Sequence, residues 1–261
     1  MRFVGLRALG QIRNPEAVPR LIPFLADARK ELRFAAVEAL GSIRAPAALR
    51  PLIGVCADPD RNLRRAAAEA LGWLGDPQAV PALAVALEDE HWSVRSAAAG
   101  ALGRIRSAKA TPALLARLAD EDDTVRRAAA AALGELGDPR AAERLVQALG
   151  SAALQATALE ALRRLGAAAL PELERAYLKA DPELRRLLVH IAGRLEDPRA
   201  RRLLLSALAD DSALVRADAV HALGDGGFRE ALRALMDLKA SDPSAEVRQA
   251  AAAAITKLAP R

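Results

Sequence analysis

The chain has 261 residues, 52% hydrophobic but only 3% aromatic, so its core must come from Ala, Leu and Val, a composition that favours helix over strand. A single cysteine, Cys56, excludes an internal disulfide framework and any multi-thiolate metal site. The net charge of +5 stands against 33 acidic residues, so it is compatible with an acidic partner or with nucleic acid and singles out neither.

The first segment, MRFVGLRALGQI, is amphipathic and has no continuous apolar run, so it predicts a helix and not a signal peptide; the cytoplasm is the expected location. From Asn14 follows NPEAVPRLIPFL. Asn or Asp before Pro starts a helix, the side chain capping free N–H groups and Pro taking the first helical position. LRFAAVEALGSI from Leu32 then repeats the opening pattern. LRRAAAEALGWLG from Leu63, VRSAAAGALGRI from Val94 and VRRAAAAALGELG from Val125 each begin 31 residues after the one before. Weaker copies start at Leu154, Leu184, Val215 and Val247. Between them the Asn14 motif returns as DPQAVPALAVAL at Asp76, DPRAAERLVQAL at Asp138 and DPRARRLLLSAL at Asp197. Cys56 is expected to be a small buried hydrophobe. No apolar stretch is long enough to predict a membrane span.

Each repeat is therefore a helix A after the Asp-Pro and a helix B with a Val/Leu-Arg start and an Ala-Leu-Gly end. The glycine is expected to serve both close helix approach and the exit turn. One pair cannot bury its apolar faces alone, so the pairs must stack. The recurring spacing, Asp-Pro, Arg and Leu-Gly resemble the HEAT-like repeats of the phycobilisome-lyase type, the short bacterial form of HEAT, over almost the whole chain. The resemblance implies an all-α, right-handed α-solenoid with B helices on the concave side. The expected organisation is a single domain, 1–261, of about eight helix pairs of roughly 31 residues plus an N-terminal half repeat.

The second residue of the B motif is Arg2, Arg33, Arg64, Arg95, Arg126, Arg185, Arg216 and Arg248. Upstream, in the turn between A and B, stand Asp27, Asp58, Asp89, Asp120, Asp181, Asp210 and Asp242. A guanidinium can bridge carboxylates and carbonyls, so these residues predict a structural ladder along one edge. The ladder fails at one step: Gln155 replaces the Arg, Gly150-Ser151 replaces the Asp, and Arg163 stands where Gly is usual. A kink or seam is expected over 150–171. At the N-terminus no A helix precedes the first B helix, which leaves Phe3, Val4 and Leu6 short of cover. A longer parent chain, a partner or a second copy would supply it.

The resemblance places the variable positions on the exposed side of helix B. Candidate partner-binding residues there are Phe34, Arg65, Trp73, Trp92, Arg104, Arg127, Arg164, Arg186, His190, Arg194 and His221, with Glu38, Glu69, Glu135, Glu160 and Leu187 beside them. Trp and Arg are common interface anchors. The arginines are expected to line an inner groove that suits an acidic partner segment.

Three enzyme-related readings compete with this one. Deoxyhypusine hydroxylase, which also uses HEAT-like repeats, needs His-Glu pairs for its irons, whereas His91, His190 and His221 are followed by Trp92, Ile191 and Ala222. HEAT-like DNA glycosylases need a Trp-lined basic groove with a catalytic Asp, and Asp218 and Asp225 lie far along the chain from both tryptophans. A phycobilin-lyase-type maturation factor fits the repeat type, but repeats alone do not establish chemistry. The sequence contains no Ser-His-Asp order, phosphate loop or Cys-His pair. The expectation is a non-catalytic scaffold, without metal or cofactor, binding a protein. A nucleic-acid-binding solenoid and a maturation factor are the alternatives, and the oligomeric state is left open.

Overall fold

The computed structural model describes residues 2–195 and 197–259, and among them every regular element is helical. The Arg2 side chain, the first rung expected of the ladder, lies outside the described residues. Two compact units divide the chain, Met1–Ala141 and Ala142–Arg261. Unit 1 contains α1 (Arg2–Ile12), α2 (Val18–Leu21), α3 (Lys30–Ile43), α4 (Leu49–Val55), α5 (Arg61–Leu74), α6 (Val80–Ala86), α7 (Trp92–Ile105), α8 (Thr111–Arg117) and α9 (Asp123–Leu136). Unit 2 contains α10 (Ala142–Ala148), α11 (Gln155–Leu165), α12 (Leu170–Tyr177), α13 (Pro182–Arg194), α14 (Ala200–Ala207), α15 (Ala213–Asp225), α16 (Leu232–Ser241) and α17 (Ala245–Leu258). Odd-numbered helices are the B helices and even-numbered ones the A helices. In unit 1 each B helix packs on the next, from α1 through α9. In unit 2, α13, α15 and α17 stack in the same way, but α11 touches α13 only sparsely.

The Asp-Pro motif begins helix A as expected, through a short 3-10 helix before α2 and α6 and a hydrogen-bonded turn before α14. Asn14, Asp76 and Asp197 each accept the backbone N–H two residues on, at 3.0, 2.8 and 2.8 Å. Both helices of a pair supply the core, Leu52, Leu83, Leu114 and Leu145 of the A helices being fully buried. Leu40, Leu71, Leu102 and Leu133 are fully buried, as are alanines on the same faces.

The Ala-Leu-Gly glycine serves close approach alone. A methyl built on Gly72 would lie 2.7 Å from Ala101 Cα, and one on Gly41 would lie 2.8 Å from Ala70 Cβ. The same meeting joins Gly10 to Ala39, Gly103 to Ala132, Gly193 to Ala222 and Gly224 to Ala254. In α11 this position is Arg163, and there the packing on α13 is sparse. The exit turn falls three residues later, in left-handed backbone. Glycine takes it after α5 and α9, as Gly75 and Gly137, but after α1, α3 and α7 it is Arg13, Arg44 and Arg106, with φ near 55°.

Candidate functional site

The Arg–Asp ladder has a definite geometry. In its complete rungs the guanidinium reaches back to the main-chain carbonyl of its own turn and forward to the carboxylate of the following one. Arg64 donates to Asp58 O at 3.1 Å and to the Asp89 carboxylate at 2.6 and 2.9 Å. Arg95 does the same with Asp89 O (3.0 Å) and Asp120 (2.9 and 2.8 Å), and Arg216 with Asp210 O (2.8 Å) and Asp242 (2.8 and 2.9 Å). Arg185 pairs with Asp210 at 3.0 Å, and that carboxylate also accepts the Tyr177 hydroxyl. Arg33 lies 3.6 Å from Asp58, a looser rung. The expected Arg–Asp pairing thus runs between repeats, while the Asp of the same repeat offers only its carbonyl.

The carboxylate has a second task. Asp89, Asp120 and Asp242 also accept the N–H two residues on, which fixes the turn into helix B. Burial alone would raise the Asp120 carboxyl, but Arg95 and the Asp122 amide outweigh it and hold it below the ordinary carboxylate value. For Asp242 the Arg216 hydrogen bonds are the largest influence and act in the same direction.

Elsewhere the expected ladder is incomplete. Arg126 donates to the carbonyls of Asp120 and Glu121 and pairs with the neighbouring Asp123. In unit 2, Gln155 reaches only the Leu149 carbonyl, at 3.2 Å, and Asp181 caps its own helix through the Leu184 N–H at 2.8 Å. Arg248 donates to the carbonyls of Asp242 and Pro243. Asp27 holds Arg29 at 2.9 Å.

On the B-helix face of unit 1, Trp73 is 49% exposed and lies between two cations. The guanidinium carbons of Arg44 and Arg104 stand 5.2 and 4.7 Å from its ring centroid, within cation–π range. Arg7, Arg13, Arg44, Glu38, Glu69 and Trp73 border a groove of about 500 Å³. Arg65 is engaged with Glu69 at 2.6 Å. Phe34 is half-buried, and Arg127 is exposed with no ion pair among the described residues. Trp92 is exposed beside the His91 ring, whose Nε2 lies 2.6 Å from Arg61. Trp92 begins α7, whereas Arg104, which stacks on Trp73, lies twelve residues along it, about 18 Å away. The two tryptophans therefore do not form one site. The role of Arg44 went unread in the sequence, although an arginine in a position favouring glycine was a visible signal.

In unit 2 a larger cleft, of about 1130 Å³, brings Arg186, Leu187, His190, Arg194 and His221 together with Leu159 and Phe228. Arg186 is engaged with Asp218 at 2.7 Å. Arg164 pairs with Glu160 at 2.9 Å, and Arg163 shares that carboxylate, which the two guanidiniums hold at about 2. The candidate arginines are therefore not a uniform set: Arg65, Arg164 and Arg186 are already neutralised within the fold.

Among the described residues no group of three or more His, Cys, Asp or Glu side chains is placed to hold a metal ion. Burial pushes the Cys56 thiol up to about 11, so it remains protonated at neutral pH. No described helix is long and apolar enough to cross a membrane.

The family model described as HEAT repeats matches residues 2–60, 50–132, 84–163, 111–180 and 170–256, nearly end to end. The chain belongs to the HEAT repeat family. Solved structures similar to this HEAT repeat chain include human deoxyhypusine hydroxylase in complex with glycerol, at 25% identity and TM-score 0.45, covering 96% of this chain and 99% of that one. The CpcE–CpcF complex of phycocyanin lyase from Nostoc sp. PCC7120 is similar at 27% identity and TM-score 0.45, over 80% of this chain and 94% of that one. Importin beta is similar at 15% identity and TM-score 0.61, over 96% of this chain and 41% of importin beta, a likeness of fold alone. No curated protein gives a significant sequence match.

Proposed function

We propose that this HEAT repeat protein is a non-catalytic cytoplasmic scaffold that binds a protein partner across the exposed, concave face of its B helices. The observation that carries the reading is Trp73, half-exposed and held between Arg44 and Arg104. A large indole left in water is costly, and one fixed in place before binding loses little freedom on capture. Within unit 1, Phe34, Arg104 and Arg127 extend this surface, Arg65, already paired, lies at its rim, and Trp92 is a second contact. Within unit 2, Arg186, His190, Arg194 and His221 are contacts of their own, with Arg164, already paired, beside them, and the inter-repeat ladder keeps the repeats in register.

The step over 150–171 is proposed as a seam in the array. The sparse packing of α11 on α13, the missing guanidinium at Gln155 and the bulky Arg163 support it.

The test is partner capture from an extract of the native host by the full chain and by a variant carrying Trp73→Ala, Trp92→Ala, Arg127→Ala and Arg186→Ala. The expected result is loss of the captured partner with helicity unchanged. Equal capture by the variant overturns the proposed surface. Binding of generic duplex DNA that falls steeply with salt would replace it with the nucleic-acid reading.

A further inference from the structure

A cleft in unit 2 is bordered by α13 and α15, beside a close contact between these helices. A methyl built on Gly193 would lie 2.6 Å from Ala222 Cβ. His190 is one turn before that point, Arg194 is the next residue after Gly193, and His221 is next to Ala222. All three border the cleft and are exposed, with no hydrogen bond or ion pair among the described residues. The carboxylates around them are already engaged. Asp218 holds Arg186 at 2.7 Å, Asp225 holds Lys257 at 2.7 Å, and Asp197 holds Arg199 at 2.9 Å. Glu183 lies 3.9 Å from Arg186. What remains for a ligand is one guanidinium and two imidazoles, beside an apolar lining that includes Leu159, Leu187 and Phe228.

We infer that this cleft seats an acidic peptide segment of the partner, its carboxylates on Arg194, His190 and His221 and its apolar side chains against Leu159, Leu187 and Phe228. The inference rests on the scaffold reading and assigns it a second, separate contact. The lining favours a peptide over a small molecule, because it runs along α13 from Glu183 to Arg194. The 13 residues of α13 run for about 20 Å, which an extended segment of about six residues spans. An imidazole and a guanidinium both donate to carboxylate, and such charge-assisted bonds distinguish Glu from Gln.

The chain has three histidines, so their ring protons make a compact reporter. The test is an NMR titration of the full chain with an acetylated, amidated Leu-Glu-Glu-Leu peptide, the signals being assigned with His190→Gln and His221→Gln. The expected result is saturable shifts of His190 and His221, with His91 unmoved. The Leu-Gln-Gln-Leu analogue should bind about tenfold more weakly, and Arg194→Gln should weaken the acidic peptide at least about fivefold without loss of helicity. Unshifted His190 and His221, equal binding of the two peptides, or the same shifts from sodium acetate at equal carboxylate concentration would each overturn the assignment. Trp73→Ala should leave this titration unchanged. If the peptide fails while the fourfold variant still loses the captured partner, the cleft assignment falls and the scaffold reading stands.

Discussion

A methyl placed on Gly193 would approach Ala222 Cβ to 2.6 Å, whereas packed carbons rest at about 3.5–4.0 Å. In Gly193→Ala, α13 and α15 must therefore separate by about 1 Å. Overpacking of this kind costs about 1–3 kcal/mol. Alanine returns about 1 kcal/mol as the better helix former. The net expectation is a loss of about 1 kcal/mol, read as a lower urea midpoint by far-UV circular dichroism. Exchanging the partners supplies the decisive comparison. In Gly193→Ala/Ala222→Gly the Cβ contact is gone, and the nearest remaining atom is Ala222 Cα at 3.4 Å. The two changes in helix propensity cancel, so stability should return to within about 0.5 kcal/mol of the natural chain. Gly100→Ala is the control, because its methyl would meet nothing nearer than Arg104 Nη1 at 3.9 Å. It should stabilise by about 0.5–1 kcal/mol. A Gly193→Ala protein as stable as the natural one, or an exchange less stable than the single variant, would refute the close-contact argument.

Asp120→Ala should destabilise by up to about 3 kcal/mol in the same assay, because the buried Arg95 guanidinium loses both bonds to that carboxylate and keeps only Glu121 and main-chain carbonyls. Gln155→Arg should complete a rung with Asp181 and stabilise by up to about 1 kcal/mol, while slowing amide hydrogen exchange in α11. Arg106→Gly should raise the melting temperature, since glycine takes the left-handed backbone at φ 54° without a Cβ clash, a gain of about 0.5–1 kcal/mol. Asp138 is held at about 2, first by Arg140 and then, after the opposing effect of burial, by the Thr111 hydroxyl. A carboxyl lowered on folding contributes its stability above its ordinary value near 3.8 and loses it as pH falls toward 2. Asp138→Asn should therefore lower stability at pH 7 and flatten the loss between about pH 4 and 2, checked by urea midpoints across that range.

Much of the fold was legible because it repeats. The spacing from Leu32 to Leu63, Val94 and Val125 exposed the helix pairs, and Asn14, Asp76 and Asp197 marked where the A helices start. The destination of each rung was less visible. Arg64 and Asp58 are neighbours in sequence, yet the carboxylate that receives Arg64 belongs to Asp89. Proximity along the chain concealed a contact set by stacking. The same limit governed the candidate site. Trp73 could be read as exposed, but its sandwich depends on Arg44 and Arg104 from the repeats on either side. Arg186 looked available until Asp218, 32 residues on, was placed against it. The cleft around His190 and His221 was hidden for the same reason.

In the regular stretch a guanidinium finds its socket, and a glycine its alanine, one repeat ahead, which makes that stretch editable in whole steps. Excising residues 42–72, one 31-residue period, would present Arg33 with Asp89 in place of Asp58, and Gly41 with Ala101 in place of Ala70. Both substitutes are chemically identical to what was removed. Such a chain can lengthen or shorten its stack without inventing a new interface, whereas an insertion inside a repeat would disturb the fastenings that span it.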